Sequence, residues 1–218
     1  GVLMMFLAAA ECVPFVVAVV LGEWQPASHY LFGIGVALIV GSLLRLILPS
    51  PGKLTPKQAL AVTGFAWLAL ALLGCIPLYM SGHYGSMLDA VFEGMSAWTT
   101  TGCSLVQDID HMSIADNTWR FTMQCIGGQG VVVIALSLGL FGRAVDSSLY
   151  SSEGRSEHVI PNIMQTARFI VRFSMATIVI GTILTTAACL FIGMAPVRAF
   201  FNGLWLAVAS FNTGGMTS

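Results

Sequence analysis

The sequence predicts an all-α, multi-pass membrane protein that also carries two segments too short to cross the bilayer. Three observations lead there. Of the 218 residues, 56% are hydrophobic and only 9% are charged, whereas soluble domains carry roughly 25% charged residues. Mean hydropathy is +0.85. Five apolar runs, at 2–21, 30–48, 58–80, 118–142 and 169–193, approach the ~20 residues that span a hydrocarbon core. Two more, 86–99 and 196–211, are shorter and end in glycine and small polar residues, the pattern of re-entrant segments.

Each element has its own signal. The run 2–21 lacks a basic flank and a cleavage site, so it reads as a span and not a signal peptide. It opens on glycine, which suggests a trimmed N-terminus. "GEWQPASH" reads as a polar turn with Trp24 at interface height. "PSPGKLTPK" separates the second and third spans, and the longest polar stretch, from Arg143 to Arg168, separates the fourth and fifth. Arg45, Lys53, Lys57, Arg143, Arg155, Arg168 and Arg172 fall on the side of these two loops, against Arg120 and Arg198 on the other. The positive-inside rule therefore puts those loops in the cytoplasm. Glu23, Asp89, Glu93, Asp108, Asp110 and Asp116 lean to the outer side, either as ordinary loop charges or as a funnel that concentrates cations.

A net charge of −1 gives no case for nucleic-acid binding. The five cysteines (Cys12, Cys75, Cys103, Cys125, Cys189) are scattered without CxxC spacing, against both a disulfide framework and a zinc site.

The short runs are related to each other. "LDAVFEGMSAWTTTGCS" (88–104) aligns without a gap over "FNGLWLAVASFNTGGMT" (201–217) at an offset of 113, pairing Asp89 with Asn202, Thr100 with Thr213 and Gly102 with Gly215. The unit is a helix, a short re-entrant helix, an uncharged extended stretch and a helix. Non-helical backbone at membrane depth needs its polar groups satisfied by protein, water or ions. A ring of carbonyls from such stretches replaces the hydration shell of a cation. Glycine at 102 permits the backbone angles that aim consecutive carbonyls at one axis. A short helix ending at the stretch points its partially negative end there, which also favours a cation. Ser86 and Asp89 in "SMLD" resemble a capping box at the start of that helix.

These residues, with "FTMQCIGGQGVVVIALSLGLF" between them, resemble the Trk/Ktr/HKT superfamily of potassium transporters, specifically its Trk-type membrane subunit. The resemblance covers nearly the whole chain. It implies pseudo-fourfold helix–pore loop–helix repeats of potassium-channel type around one pore, of which this chain supplies the N-terminal half. Residues 1–50 correspond to the peripheral two-helix pair, 51–145 to the first repeat with filter 99–104, 146–168 to a cytoplasmic linker, and 169–218 to a second repeat that ends after filter 212–217.

The implied ion-binding residues are Thr100, Thr101, Gly102 and Cys103 with Thr213, Gly214, Gly215 and Met216. Potassium is the transported ion, and no cofactor is implied in this chain. Cys103 stands where the family often has alanine. The family works as a homodimer with a cytoplasmic nucleotide-binding RCK/KTN-type regulatory subunit. The implied location is the cell membrane, the inner membrane in a bacterium.

Other features weigh less. Gly127, Gly128 and Gly130 in "IGGQGVVV" read as close helix packing or a bend, and Gln129 as an interhelical hydrogen bond. Glu11, inside the first span, reads as a protonated or partnered structural carboxyl. His29, His83, His111 and His158 read as solvated loop residues. Ser96 in "GMSAW" has the GxS of serine hydrolases but lacks the second glycine and a histidine partner, so an enzyme is not expected. The alternative is a secondary transporter of another fold with broken helices.

Overall fold

The computed structural model describes residues 1–47, 56–137 and 159–216. These residues form eight helices and no strand: α1 (Val2–Leu21), α2 (Trp24–Ile47), α3 (Pro56–Gly74), α4 (Ile76–Met80), α5 (Met87–Trp98), α6 (Ile114–Ser137), α7 (Val159–Phe191) and α8 (Pro196–Phe211). Among the described residues, α1, α2 and the 165–191 part of α7 are long and apolar enough to cross a membrane. Their outward faces carry bare apolar side chains such as Val20, Leu31, Phe169 and Ile183, as lipid-facing helices do. The loops around "PGK" and "SSEGRSEH", and His158, lie outside the described residues.

The first two helices form a tight antiparallel pair. Gly22 adopts a left-handed conformation (φ 74°), and the N–H of Glu23 donates to Ala18 O at 2.8 Å while that of Gly22 donates to Val19 O at 3.2 Å. This Schellman closure satisfies the last carbonyls of α1. Helix α2 then starts at Trp24, six residues before the predicted run. "GEWQPASH" is thus mostly helix and not a turn, because Pro26 sits in a first turn whose N–H groups need no partner within the helix. His29 is consequently a buried helical residue, not a solvated loop one.

The predicted run 58–80 is broken. α3 ends at Gly74, and α4 begins after Cys75 with proline in its first turn. An unbroken helix would drive the Pro77 ring against the carbonyl four residues back. The break frees the carbonyl of Gly74, which accepts the indole N–H of Trp119 at 2.8 Å. Trp119 meets Trp98 and Tyr30 edge to face, with ring centroids 6.2 Å and 6.3 Å apart. These rings join the peripheral pair, α5 and α6 in one core.

α6 starts at Ile114, before the predicted 118. Ser113 and Asp116 form a reciprocal cap, with Asp116 N–H to Ser113 Oγ at 2.9 Å and the Ser113 hydroxyl to Asp116 Oδ2 at 2.7 Å. Glu23 adds its carboxylate across the start of the helix, accepting from the N–H groups of Ile114 and Ala115 at 3.0 Å each. Four N–H groups are otherwise orphaned at a helix start, and a carboxylate suits the positive end.

α7 starts at Val159, ten residues before the predicted run. It packs against α8 through small residues: the Thr185 hydroxyl donates to Gly203 O at 2.8 Å, and a Cβ on Gly203 would collide with Thr186. The Ser174 hydroxyl donates to Gln129 Oε1 at 3.2 Å, so Gln129 does bridge two helices.

Candidate functional site

The two short helices are the predicted ones, and they end alike. α5 covers 87–98 and α8 covers 196–211. Ser86 caps α5 by accepting the Asp89 N–H at 3.2 Å. At their C-terminal ends the backbone bonds repeat at the offset of 113. Thr99, Thr100 and Thr101 N–H donate to Met95, Ala97 and Ser96 carbonyls at 2.9, 3.1 and 2.9 Å. Asn212, Thr213 and Gly214 N–H donate to Val208, Ser210 and Ala209 at 3.0, 3.3 and 2.9 Å. The gapless alignment read from sparse identities is therefore a geometric repeat as well.

Both ends are Schellman closures with threonine where glycine is usual. Thr100 has φ 55° and Thr213 φ 53°, the two positive-φ non-glycine residues among those described. A β-branched residue in this region is a genuine outlier and costs about 1–2 kcal/mol each. Strain of this kind collects where the surroundings over-determine a functional geometry. Sequence reasoning assigned the unusual backbone to Gly102, which does have φ 82°, and missed Thr100, two residues earlier.

Beyond the caps the two stretches meet. A Cβ on Gly102 would run into the Gly215 backbone nitrogen, and would lie 2.5 Å from Gly215 Cα and 3.1 Å from Gly214 C. Glycine is thus required at 102 twice over, for its φ and for the approach of the second stretch. Behind the second stretch, a Cβ on Gly214 would collide with the amide of Gln124. Among the eight candidate residues, Thr101, Cys103, Thr213 and Gly215 are exposed and Thr100 and Gly102 are half-buried. Gly214 and Met216 are buried. The Cys103 carbonyl accepts the Ser96 hydroxyl at 2.6 Å, which occupies one of its lone pairs and gives the hydrolase-like Ser96 a structural task. Thr99 and Thr101 share a hydroxyl contact of 2.8 Å.

Two of the three α6 glycines lie directly against these ends, while Gly130 faces Trp67. A Cβ on Gly127 would collide with the Trp98 carbonyl, and one on Gly128 with the Asn212 side chain. A cavity of about 330 Å³ sits there, lined among others by Thr100, Gly128, Gln129, Asn212 and Thr213. The packing reading of this motif holds, and its location at both helix ends is the added fact.

Several charges have other roles than the sequence suggested. Arg120 and Glu93 are not loop charges: both are fully buried and paired, Nε to Oε1 at 2.8 Å. Asp116 accepts the Tyr30 hydroxyl at 2.7 Å in the core, and Glu23 caps α6. An outer cation funnel thus loses three of its six proposed carboxylates, leaving Asp89, Asp108 and Asp110. The Asp108 carboxyl is held below the ordinary value by the His111 ring that hydrogen-bonds it. Glu11 is buried with neither oxygen hydrogen-bonded, in space left open by Gly33. All five cysteines are free, and no cluster of metal-ligating side chains occurs among the described residues.

Apolar spanning helices beside two matched shorter helices, each closing on a strained threonine and a glycine-containing stretch, define an all-α membrane protein. The profile described as TrkH, cation transport protein, matches residues 32–218, and the chain belongs to that family, as a Trk-type membrane subunit. An uncharacterized cation transporter of Methanocaldococcus jannaschii is 31% identical over 94% of this chain and 41% of its own length. The Trk system potassium uptake protein TrkI of Halomonas elongata is 27% identical over the whole chain and 43% of its own length. The crystal structure of the potassium transporter TrkH from Vibrio parahaemolyticus shares the fold, with a TM-score of 0.75 at 23% identity, over all of this chain and 42% of that one. The chain thus spans less than half the length of these relatives.

Proposed function

We propose that this chain contributes two of the pore stretches of a potassium-transporting membrane protein, with residues 99–104 and 212–217 as selectivity filters. The observation that supports the reading best is the recurrence of one strained geometry at Thr100 and Thr213, with the two glycine-containing stretches in mutual contact. α5 and α8 both aim their partially negative C-terminal ends at this meeting point. The carbonyls of Thr100, Thr101, Gly102 and Cys103, with those of Thr213, Gly214, Gly215 and Met216, would take the place of a cation's water shell. The absence of carboxylates in either stretch keeps binding weak enough for release.

In this reading the protein is a transporter and not an enzyme, K+ is its cargo, and it lies in the cell membrane. Further repeats would complete a pseudo-fourfold pore, with a homodimeric assembly and a cytoplasmic nucleotide-binding subunit that gates it. Expression of the natural full-length product, with its regulatory subunit, in cells stripped of potassium uptake is the test. Restored growth at low potassium is expected. A membrane-inserted product that fails to restore it, or rescue that survives disruption of both stretches, would refute the reading.

A further inference from the structure

The first candidate filter is followed by a buried clamp. Glu93, on α5, and Arg120, on α6, are each fully buried. Glu93 Oε1 accepts Arg120 Nε at 2.8 Å and the Ser104 hydroxyl at 3.0 Å, while Oε2 accepts the Leu105 N–H at 2.9 Å. Arg120 also donates to Asn117 Oδ1 at 2.8 Å and Ser104 Oγ at 3.0 Å. Together with the Ser96 bond to the Cys103 carbonyl, three consecutive residues leaving the candidate filter are held by groups on α5 and α6.

The aligned position in the second short helix is Leu206, at the offset of 113 from Glu93, and it is exposed. The second short helix therefore forms the same backbone ending with no carboxylate at that position. Burying two charges is costly, and a well-packed apolar pair often serves stability as well or better. Stability is thus a weak reason for the pair, whereas fixing one backbone course is a sufficient one. Resting on the filter reading above, we infer that Glu93 and Arg120 are positioning residues for ion selectivity. They hold Ser104 and Leu105, and through them the carbonyls of Gly102 and Cys103, at fixed spacing. A site that discriminates by the number and closeness of its carbonyls depends on that spacing.

Replacing one partner alone would strand a buried charge, so the test uses the neutral double variant Glu93→Gln/Arg120→Gln and, separately, Ser104→Ala. Ser104→Ala leaves the buried ion pair in place and removes only the hydroxyl that joins it to the stretch. Potassium and sodium fluxes are measured on the natural full-length product at matched membrane amounts, with Gly102→Ser alongside. The double variant should lower the potassium-to-sodium ratio about tenfold, and Ser104→Ala about threefold, through sodium flux that rises relative to potassium flux. Simple loosening of the fold would instead reduce both fluxes in proportion. A double variant that reaches the membrane with an unchanged ratio overturns the inference, provided that Gly102→Ser lowers it. If the double variant does not reach the membrane, an unchanged ratio in Ser104→Ala overturns it. If Gly102→Ser also leaves the ratio unchanged, the filter reading itself falls.

Discussion

Adding one methyl group at Gly102 separates two costs that the structure assigns to that position. The first is conformational: φ is 82°, and a side chain in the left-handed region costs about 1–2 kcal/mol. The second is steric, because the new Cβ would meet the Gly215 backbone. Backbone cannot swing aside as a side-chain tip does, and overpacking of this kind costs roughly 1–3 kcal/mol. Gly82 supplies the control, since its φ is 78° and nothing lies within 4 Å of its Cβ position. Gly82→Ala should therefore lose only the conformational part, and Gly102→Ala about 2–5 kcal/mol in all. The second change also pushes the two stretches apart, so ion flux should fall in Gly102→Ala and persist in Gly82→Ala. Thermal unfolding of both purified variants, with flux in reconstituted vesicles, reads the two quantities. Equal stability loss, or full flux in Gly102→Ala, would refute the contact with Gly215.

The packing and capping contacts give further expectations. Trp119→Phe keeps the ring packing but leaves the Gly74 carbonyl without its donor, and should lower stability by about 1–3 kcal/mol on thermal unfolding. Glu23→Ala removes the acceptor for two N–H groups at the start of α6. Faster hydrogen exchange at Ile114 and Ala115 is expected, and unchanged exchange there would remove that role. Asp108 bonds His111 and titrates below the ordinary carboxylate value. Its small contribution to stability is present above the unfolded carboxylate value and is lost as pH falls through the lowered one. Asp108→Asn should flatten that acid-side slope and leave neutral-pH flux unchanged, which melting curves across the acid range would check.

What could be read from the sequence was what depends on local pattern. The short helices, their Ser86 cap and the offset of 113 follow from apolar run length, turn chemistry and register, and the structure reproduces them in matching backbone bonds. Run ends were less legible, because apolarity does not mark where a helix stops. Pro26 looked like a turn residue yet sits in a helix start, while Cys75 marks a break within an unbroken apolar run. The Ser113–Asp116 cap was in plain view as the same Ser-x-x-Asp pattern as at Ser86.

Partners distant in sequence were not legible at all. Nothing local pairs Glu93 with Arg120, Glu23 with the start of α6, or Gln124 with Gly214, and the sequence placed the three charged residues only on the outer side. Thr100 is the instructive miss. Propensity rules put glycine at a left-handed position, and the fold overrides them with threonine at both aligned sites.

The central claim is that a dehydrated cation is held where the two stretches meet. Crystals of the natural full-length product grown with rubidium in place of potassium test it most directly, because rubidium scatters anomalously. An anomalous peak is expected within coordination distance of carbonyls from both 100–103 and 213–216, and it should be lost in Gly102→Ala. Well-diffracting crystals without a peak there, or with a peak only elsewhere, would contradict the account.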